Sequence, residues 1–218
     1  RFREYVSWVY YKKHQKSVGS QAVQDAIDVL AGMARLEPVR DIFIRVANLP
    51  GQIFVDLCNK QNQVVKIDKQ GWTIINNPPV VFKRLPGMKP LPIPEYRINS
   101  NGTDKLEVIL NLDRNSYILV MAWLLAAYFD CDFPILNLNG EHGSGKSTIT
   151  EVLKSLVDPN QAMTRAAPRN EHELMISADN SYVLALDNLS SIQDWQSDAL
   201  CRLSTGAGWS TRRLYSEQ

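Results

Sequence analysis

The 218 residues carry 24 Lys/Arg against 23 Asp/Glu, a net charge of +1 at pH 7, and 44% of them are apolar. That is chain enough for one large domain or two small ones with a proper core, and a near-zero charge gives no global field for nucleic acid or membrane, so any polyanion contact must come from local clusters. Cys58, Cys131 and Cys201 are odd in number, scattered and without a C-x-x-C pair, which fits reduced thiols rather than a disulfide framework or a zinc site.

Residues 1 to about 35 read as two helices. Phe2, Tyr5, Val6 and Val9 make one apolar stripe and Val23, Ile27, Leu30 and Ala34 another, with Gly19-Ser20 between them and Ser20 as the expected N-cap. Lys12, Lys13, His14 and Lys16 lie in the expected link beside Tyr10 and Tyr11. They read as a solvated basic loop ahead of a DNA-backbone contact.

From Asp41 to Arg84 the period changes to two. Ile42, Ile44 and Val46 alternate with Phe43 and Arg45, Leu49-Pro50-Gly51 turns the chain, and Ile53, Val55 and Leu57 resume the pattern. Segments 64–67, 72–75 and 80–82 follow, separated by Asn, Gly and Pro clusters, so an antiparallel meander is expected, with no catalytic constellation in it. Pro86, Pro90, Pro92 and Pro94 with Gly87 then form a stiff stretch where a domain boundary is expected. Beyond it come a short helix over 104–110 and a longer one over 114–129, apolar nearly all round after Tyr117 and expected to pack against a sheet beginning at Phe133. The apolar run from Tyr117 to Phe129 is shorter than the ~20 residues that span a bilayer, and no signal-peptide pattern is visible, so a cytoplasmic protein without membrane contact is expected.

Phe133-Pro134-Ile135-Leu136-Asn137-Leu138-Asn139 reads as a buried strand running into a turn. Gly140, Glu141, His142, Gly143, Ser144, Gly145, Lys146 and Ser147 match G-x-x-x-x-G-K-[ST], and with Thr148 they form the expected ATP-binding set. Glycines let backbone N–H groups face a β-phosphate, Lys146 adds positive charge near the β/γ-phosphates, and the Ser147 hydroxyl can ligate Mg²⁺. The following helix, with Ile149, Val152, Leu153, Leu156 and Val157 at helical spacing, adds its N-terminal dipole and ends at Asp158-Pro159.

A strand is expected over 161–166, then a helix capped by Asn170 with Glu173 at N3 and reaching about Ala178. Tyr182 to Leu186 is an apolar run ending in Asp187, the pattern of a Walker B strand whose carboxylate holds Mg²⁺ opposite Ser147. Asn188 stands where many hydrolysing ATPases carry a glutamate; its amide can bind the attacking water but cannot take its proton, so either the acid comes from elsewhere, with Glu141, Asp194 and Asp198 as candidates, or turnover is slow, or a partner subunit completes the site. Ile192, Trp195, Ala199 and Leu203 line a further helix closed by Gly206, with Trp195 expected in the core. A strand-like run over 209–215 carries Arg212 and Arg213, candidates for a DNA contact. The order strand, P-loop, helix, strand, helix, strand implies a parallel sheet with right-handed crossovers. His172-Glu173 lacks the second histidine of a metalloprotease.

The P-loop octet, Leu184-Ala185-Leu186-Asp187-Asn188 and the stretch from Asp194 to Gly206 resemble the ATP-binding proteins of bacteriophages and bacterial mobile elements, which are similar to superfamily 3 helicases and to the ATPase half of primase–helicases. The resemblance covers about 133–218. It is looser over 42–94, where Pro78-Pro79-Val80 and Leu85-Pro86-Gly87-Met88 look like the segment preceding such ATPases. It implies an α/β P-loop NTPase core of AAA+-like type over 96–218, a parallel sheet flanked by helices. A smaller α+β domain over 1–95 would precede it, made of two helices, the meander and the proline-rich linker. It further implies a hexameric ring and ATP-driven movement along DNA in replication, with Arg212 and Arg213 near a DNA-facing hairpin. Asn188 departs from the acidic residue usual in that family, and the sensor asparagine and arginine finger would lie beyond the end of what reads as a truncated chain. Two other activities fit the same turn: phosphotransfer to a small acceptor, with Arg165 and Arg169 as hints of a lid, and nucleotide-gated binding with little hydrolysis.

Overall fold

The computed structural model describes residues 2–95, 102–189 and 191–206. The chain divides into two compact units, Arg1–Asp41 and Ile42–Gln218.

In the first unit, α1 (Phe2–His14) and α2 (Ser20–Leu36) form a helical hairpin. The cap of α2 is Gly19 rather than Ser20, which is already helical; the Gly19 carbonyl takes the Val23 N–H at 3.2 Å. Lys12, Lys13 and His14 are not in a link but form the last turn of α1, where cations favour the carbonyl end of the helix dipole.

The second unit contains the meander. Strands β2 (Val46–Leu49), β3 (Gln52–Asp56), β4 (Val64–Asp68) and β5 (Gly71–Ile75) make a four-stranded antiparallel sheet in chain order. Leu49 pairs with Gln52 across Pro50-Gly51, with Gly51 at φ 73, the positive φ that the third position of a type II turn requires. The two short strands β1 (Ile42–Phe43) and β6 (Val81–Phe82) pair in parallel beside it. Both faces of the meander are covered. Ala47, Phe54 and Val64 pack with Phe43, Ile75, Val80 and Phe82, while Val46, Val55, Leu57 and Val65 pack with Leu91, Tyr128 and Tyr182. The second face joins the meander to the C-terminal half. The proline-rich stretch also bonds on two sides: Leu91 N–H donates to Leu57 O at 2.9 Å, and Lys89 N–H donates to Pro159 O at 2.9 Å.

After α3 (Gly102–Leu110) comes α4 (Arg114–Ala126), capped by Asp113, whose side chain accepts from the Asn115 and Ser116 N–H groups. Leu110, Tyr117, Val120 and Leu124 pack against Leu153 and Val157 of α5 (Lys146–Val157). The remaining elements are β7 (Arg165–Ala166), α6 (Glu171–Asp179), β8 (Leu186–Asp187) and α7 (Asp194–Ser204).

The expected parallel P-loop sheet of AAA+-like type is not what forms. Among the described residues of this half, the ladder is the β7–β8 pair alone, two residues on each strand and parallel. The segment from Phe133 to Asn139 belongs to no strand. Pro134 has no N–H to give a ladder, and the segment is instead tied to helices: Phe133 exchanges bonds with Ser204, and Pro134 O accepts from Trp123 Nε1 at 2.9 Å. Upstream of Asp187, the Tyr182 and Val183 amides that a longer strand would pair are both taken by the Asp158 carboxylate. Among the described residues no sheet covers α4, and Ile118, Leu119 and Leu125 remain exposed. No described helix is long and apolar enough to cross a membrane.

Candidate functional site

The turn before α5 owes its shape to its glycines. Gly143 (φ 80) and Gly145 (φ 82) adopt the left-handed conformation that L side chains resist, and Gly145 is the N-cap of α5 with no side-chain cap bond. At Gly140 a Cβ would fall 2.7 Å from Ser144 Oγ, so a larger residue there would push the serine hydroxyl aside. The amides of Lys146, Ser147 and Thr148, at the first turn of α5, precede the first intrahelical donor, Ile149 N–H to Gly145 O at 2.9 Å. Lys146 folds back over the turn, donating to Gly140 O at 2.8 Å and Glu141 O at 2.6 Å. Glu141 and His142 stand exposed at its rim.

Across from it lies Asp187 at the end of β8. Ser147 Oγ is 3.4 and 3.3 Å from the two Asp187 oxygens. Residues 40 positions apart in the chain thus meet. Asp187 Oδ1 also accepts the Asn188 N–H at 2.9 Å, and Asn188 itself is exposed at φ 59. Among the described residues no three His, Cys, Asp or Glu side chains converge on one point. One hydroxyl and one carboxylate suit an ion such as Mg²⁺ that keeps most of its water and takes the rest of its ligands from phosphates.

What holds Asp187 against Ser147 is the far end of α5, which the sequence patterns do not report. Lys154, 2% exposed, donates to Val183 O at 2.6 Å, and Asp158 Oδ2 accepts the N–H groups of Tyr182 and Val183 at 3.0 and 3.2 Å. One helix therefore carries Ser147 at its start and grips the segment entering β8 at its end. Asp158 pairs in turn with Arg45 of the meander at 3.3 Å, both side chains fully buried. Arg45 adopts φ 62 and also donates to Asp56 O, Lys89 O and Pro159 O. Burial lowers the Lys154 pKa, opposed by the neighbouring Asp158 charge. The one signal in the chain is Lys154 itself, a lysine between Leu153 and Val157 on an apolar stripe.

The remaining expected residues do not converge here. Trp195 is half-buried, its Nε1 donating to Gln193 Oε1, and α7 buries Gln196 and Ala199 instead. Asp194 opens α7. Arg169 donates its N–H to Glu173, and Arg165 pairs with Leu186 in the β7–β8 ladder. Arg212 and Arg213 lie outside the described residues. A small, open apolar crevice between Leu174, Leu186, Leu189 and Leu200 includes no residue of the turn.

The profile of the actinomycete integrative conjugative element replication protein family matches residues 103–218. No curated protein matches the chain, and no solved structure does. The match corrects the resemblance to superfamily 3 helicases and primase–helicases. The residues that suggested it, the glycine-rich octet, the apolar run ending in aspartate and the stretch from Asp194 to Gly206, are short local patterns, and the sheet that would single out that group is absent from the described residues. Replication of a mobile element's DNA agrees with the match.

Proposed function

The chain belongs to the actinomycete integrative conjugative element replication proteins, and we propose, from the geometry of its glycine turn, that residues 140–148 with Asp187 bind ATP and Mg²⁺ and hydrolyse ATP in copying the element's DNA. The observation that carries this is the approach of Ser147 Oγ to both oxygens of Asp187, 3.4 and 3.3 Å, at the mouth of a left-handed glycine turn.

Each group has a role the chemistry requires. The free amides at the start of α5 face the phosphates, and the helix dipole adds partial positive charge there. Lys146 leaves the Gly140 and Glu141 carbonyls to neutralise the β/γ-phosphates. Ser147 and Asp187 would hold the metal, which would supply Lewis-acid charge to the phosphate oxygens. Asn188 hydrogen-bonds the attacking water without accepting its proton. The proton would therefore pass to a carboxylate elsewhere or to the phosphate itself.

Full-length protein should show Mg²⁺-dependent ATP hydrolysis that single-stranded DNA stimulates and Lys146→Ala abolishes. Hydrolysis that is indifferent to both DNA and Lys146→Ala would refute the proposal. Asn188 favours a second reading, nucleotide-gated binding with little turnover, which predicts ATP binding of the same Lys146 dependence and no phosphate release.

A further inference from the structure

The first unit concentrates what the rest of the chain lacks. Residues 1–20 hold Arg1, Arg3, Lys12, Lys13 and Lys16 against the single acid Glu4, while the whole chain carries only +1. On the same helix stand Phe2, Tyr5, Trp8, Tyr10 and Tyr11, each between 39% and 59% exposed, and α1 buries none of its residues. Aromatic rings of this size are ordinarily the residues a fold buries. Here α1 leans on α2 through other groups: Val6 and Ser7 are its half-covered positions, and Arg3 reaches Ser20 O at 3.4 Å.

The opposite side of α1 is ordered as a strip. Tyr5, Trp8 and Lys12 follow one another at spacings of three and four, so they share a face. The Tyr5 and Trp8 rings lie 6.1 Å apart, and Lys12 Nζ sits 5.2 Å from the Trp8 centroid, within cation–π range. Lys16 follows just past the end of the helix. With Trp8 55% exposed and Tyr5 59% exposed, ring surface remains on which a base can stack.

We propose that this Tyr5–Trp8–Lys12 face of α1 binds single-stranded DNA, the rings stacking bases and Lys12, Lys13 and Lys16 meeting phosphates. Flat rings alternating with cations are what an unpaired strand offers partners for: every base has a π-face, and every nucleotide carries a negative charge. Replication exposes such strands, and the family's work is replication. A duplex, its bases already stacked, leaves the rings no role. The patch lies in the first unit and is independent of the nucleotide turn in the second.

The test is fluorescence anisotropy of a labelled oligo(dT), about twenty nucleotides long, titrated with the full chain in EDTA without nucleotide. Wild type should bind. Replacing both rings (Tyr5→Ala with Trp8→Ala) should weaken binding at least tenfold, since each stack is worth roughly 5- to 150-fold. Tyr5→Phe with Trp8→Phe, which keeps two rings, should stay within threefold of wild type and guards against a folding artefact. Replacing Lys12 and Lys13 by Gln should reduce the slope of log affinity against log salt by about 0.7 for each phosphate no longer neutralised. Failure of the wild type to bind, or binding by the double-alanine variant within twofold of it, overturns the proposal. So does binding to phosphatidylglycerol vesicles but not to the oligonucleotide, which would make α1 a membrane-surface helix. Because no nucleotide is present, these outcomes do not depend on whether ATP binds residues 140–148.

Discussion

Asp158→Asn should strongly destabilise the second unit. Asp158 is fully buried, faces the equally buried Arg45 at 3.3 Å, and accepts two backbone N–H groups with its other oxygen. An asparagine has one oxygen to offer. Turned toward Tyr182 and Val183, it aims its NH₂ at the Arg45 guanidinium; turned toward Arg45, it sets donor against two donors. Breaking a buried pair from one side costs about 3–5 kcal/mol. Arg45 keeps the carbonyls of Asp56, Lys89 and Pro159, so the lower end, about 3 kcal/mol, applies. With a urea m-value of about 2–3 kcal/mol/M, the midpoint should fall by about 1–1.5 M. Urea titration followed by tryptophan fluorescence reads this directly, since Trp72, Trp123 and Trp195 all lie in the second unit. Arg45→Met combined with Asp158→Leu should recover part of the loss, because no lone charge stays buried. A midpoint shift under about 0.3 M for Asp158→Asn would refute the reasoning, for the pair would then not be desolvated as described.

Three further outcomes follow from the same geometry. Lys154→Met removes the side-chain donor that holds Val183 O; the affinity for Mg–ATP should fall several-fold while affinity for ATP in EDTA changes little, which equilibrium dialysis in the two buffers separates. Asn188→Glu should raise ATP turnover if a missing proton acceptor limits it, and an unchanged rate in a phosphate-release assay would place the limit elsewhere. Burial raises the pKa of Tyr128 and Tyr182 above the ordinary 10.0. The folded state therefore keeps protons that the unfolded chain releases once pH passes about 10, and stability falls with rising pH by at most about 1.4 kcal/mol per unit for each tyrosine. Tyr182→Phe should flatten that slope in melts between about pH 9 and 11.

Features set by neighbouring residues are readable in the chain. The glycines of the turn, the start of α5, and the Asn170 cap with its Glu173 N–H bond at 2.9 Å are all decided within a few positions. So is the two-residue turn at Pro50-Gly51. The meeting of Ser147 with Asp187 is legible because two short patterns each carry a chemical demand. The sheet is not, for two reasons. Apolar runs from Phe133 and Tyr182 look like strands whether or not their amides find a ladder, and here Pro134 lacks an amide while Asp158 takes those of Tyr182 and Val183. Arg45 and Asp158 are 113 residues apart, and no periodicity reports a polar partner at that distance. The aromatic face of α1 reads in the sequence as an ordinary apolar stripe and a basic loop, since the pattern alone does not say which side α2 covers.

Binding of ATP to the full chain by isothermal titration calorimetry, with and without Mg²⁺, bears most directly on residues 140–148. Saturable binding that Mg²⁺ strengthens is expected, at least tenfold weaker in Lys146→Ala, with the Mg²⁺ dependence removed in Asp187→Asn. No heat at millimolar ATP, or equal binding by wild type and Lys146→Ala, would contradict a nucleotide site there.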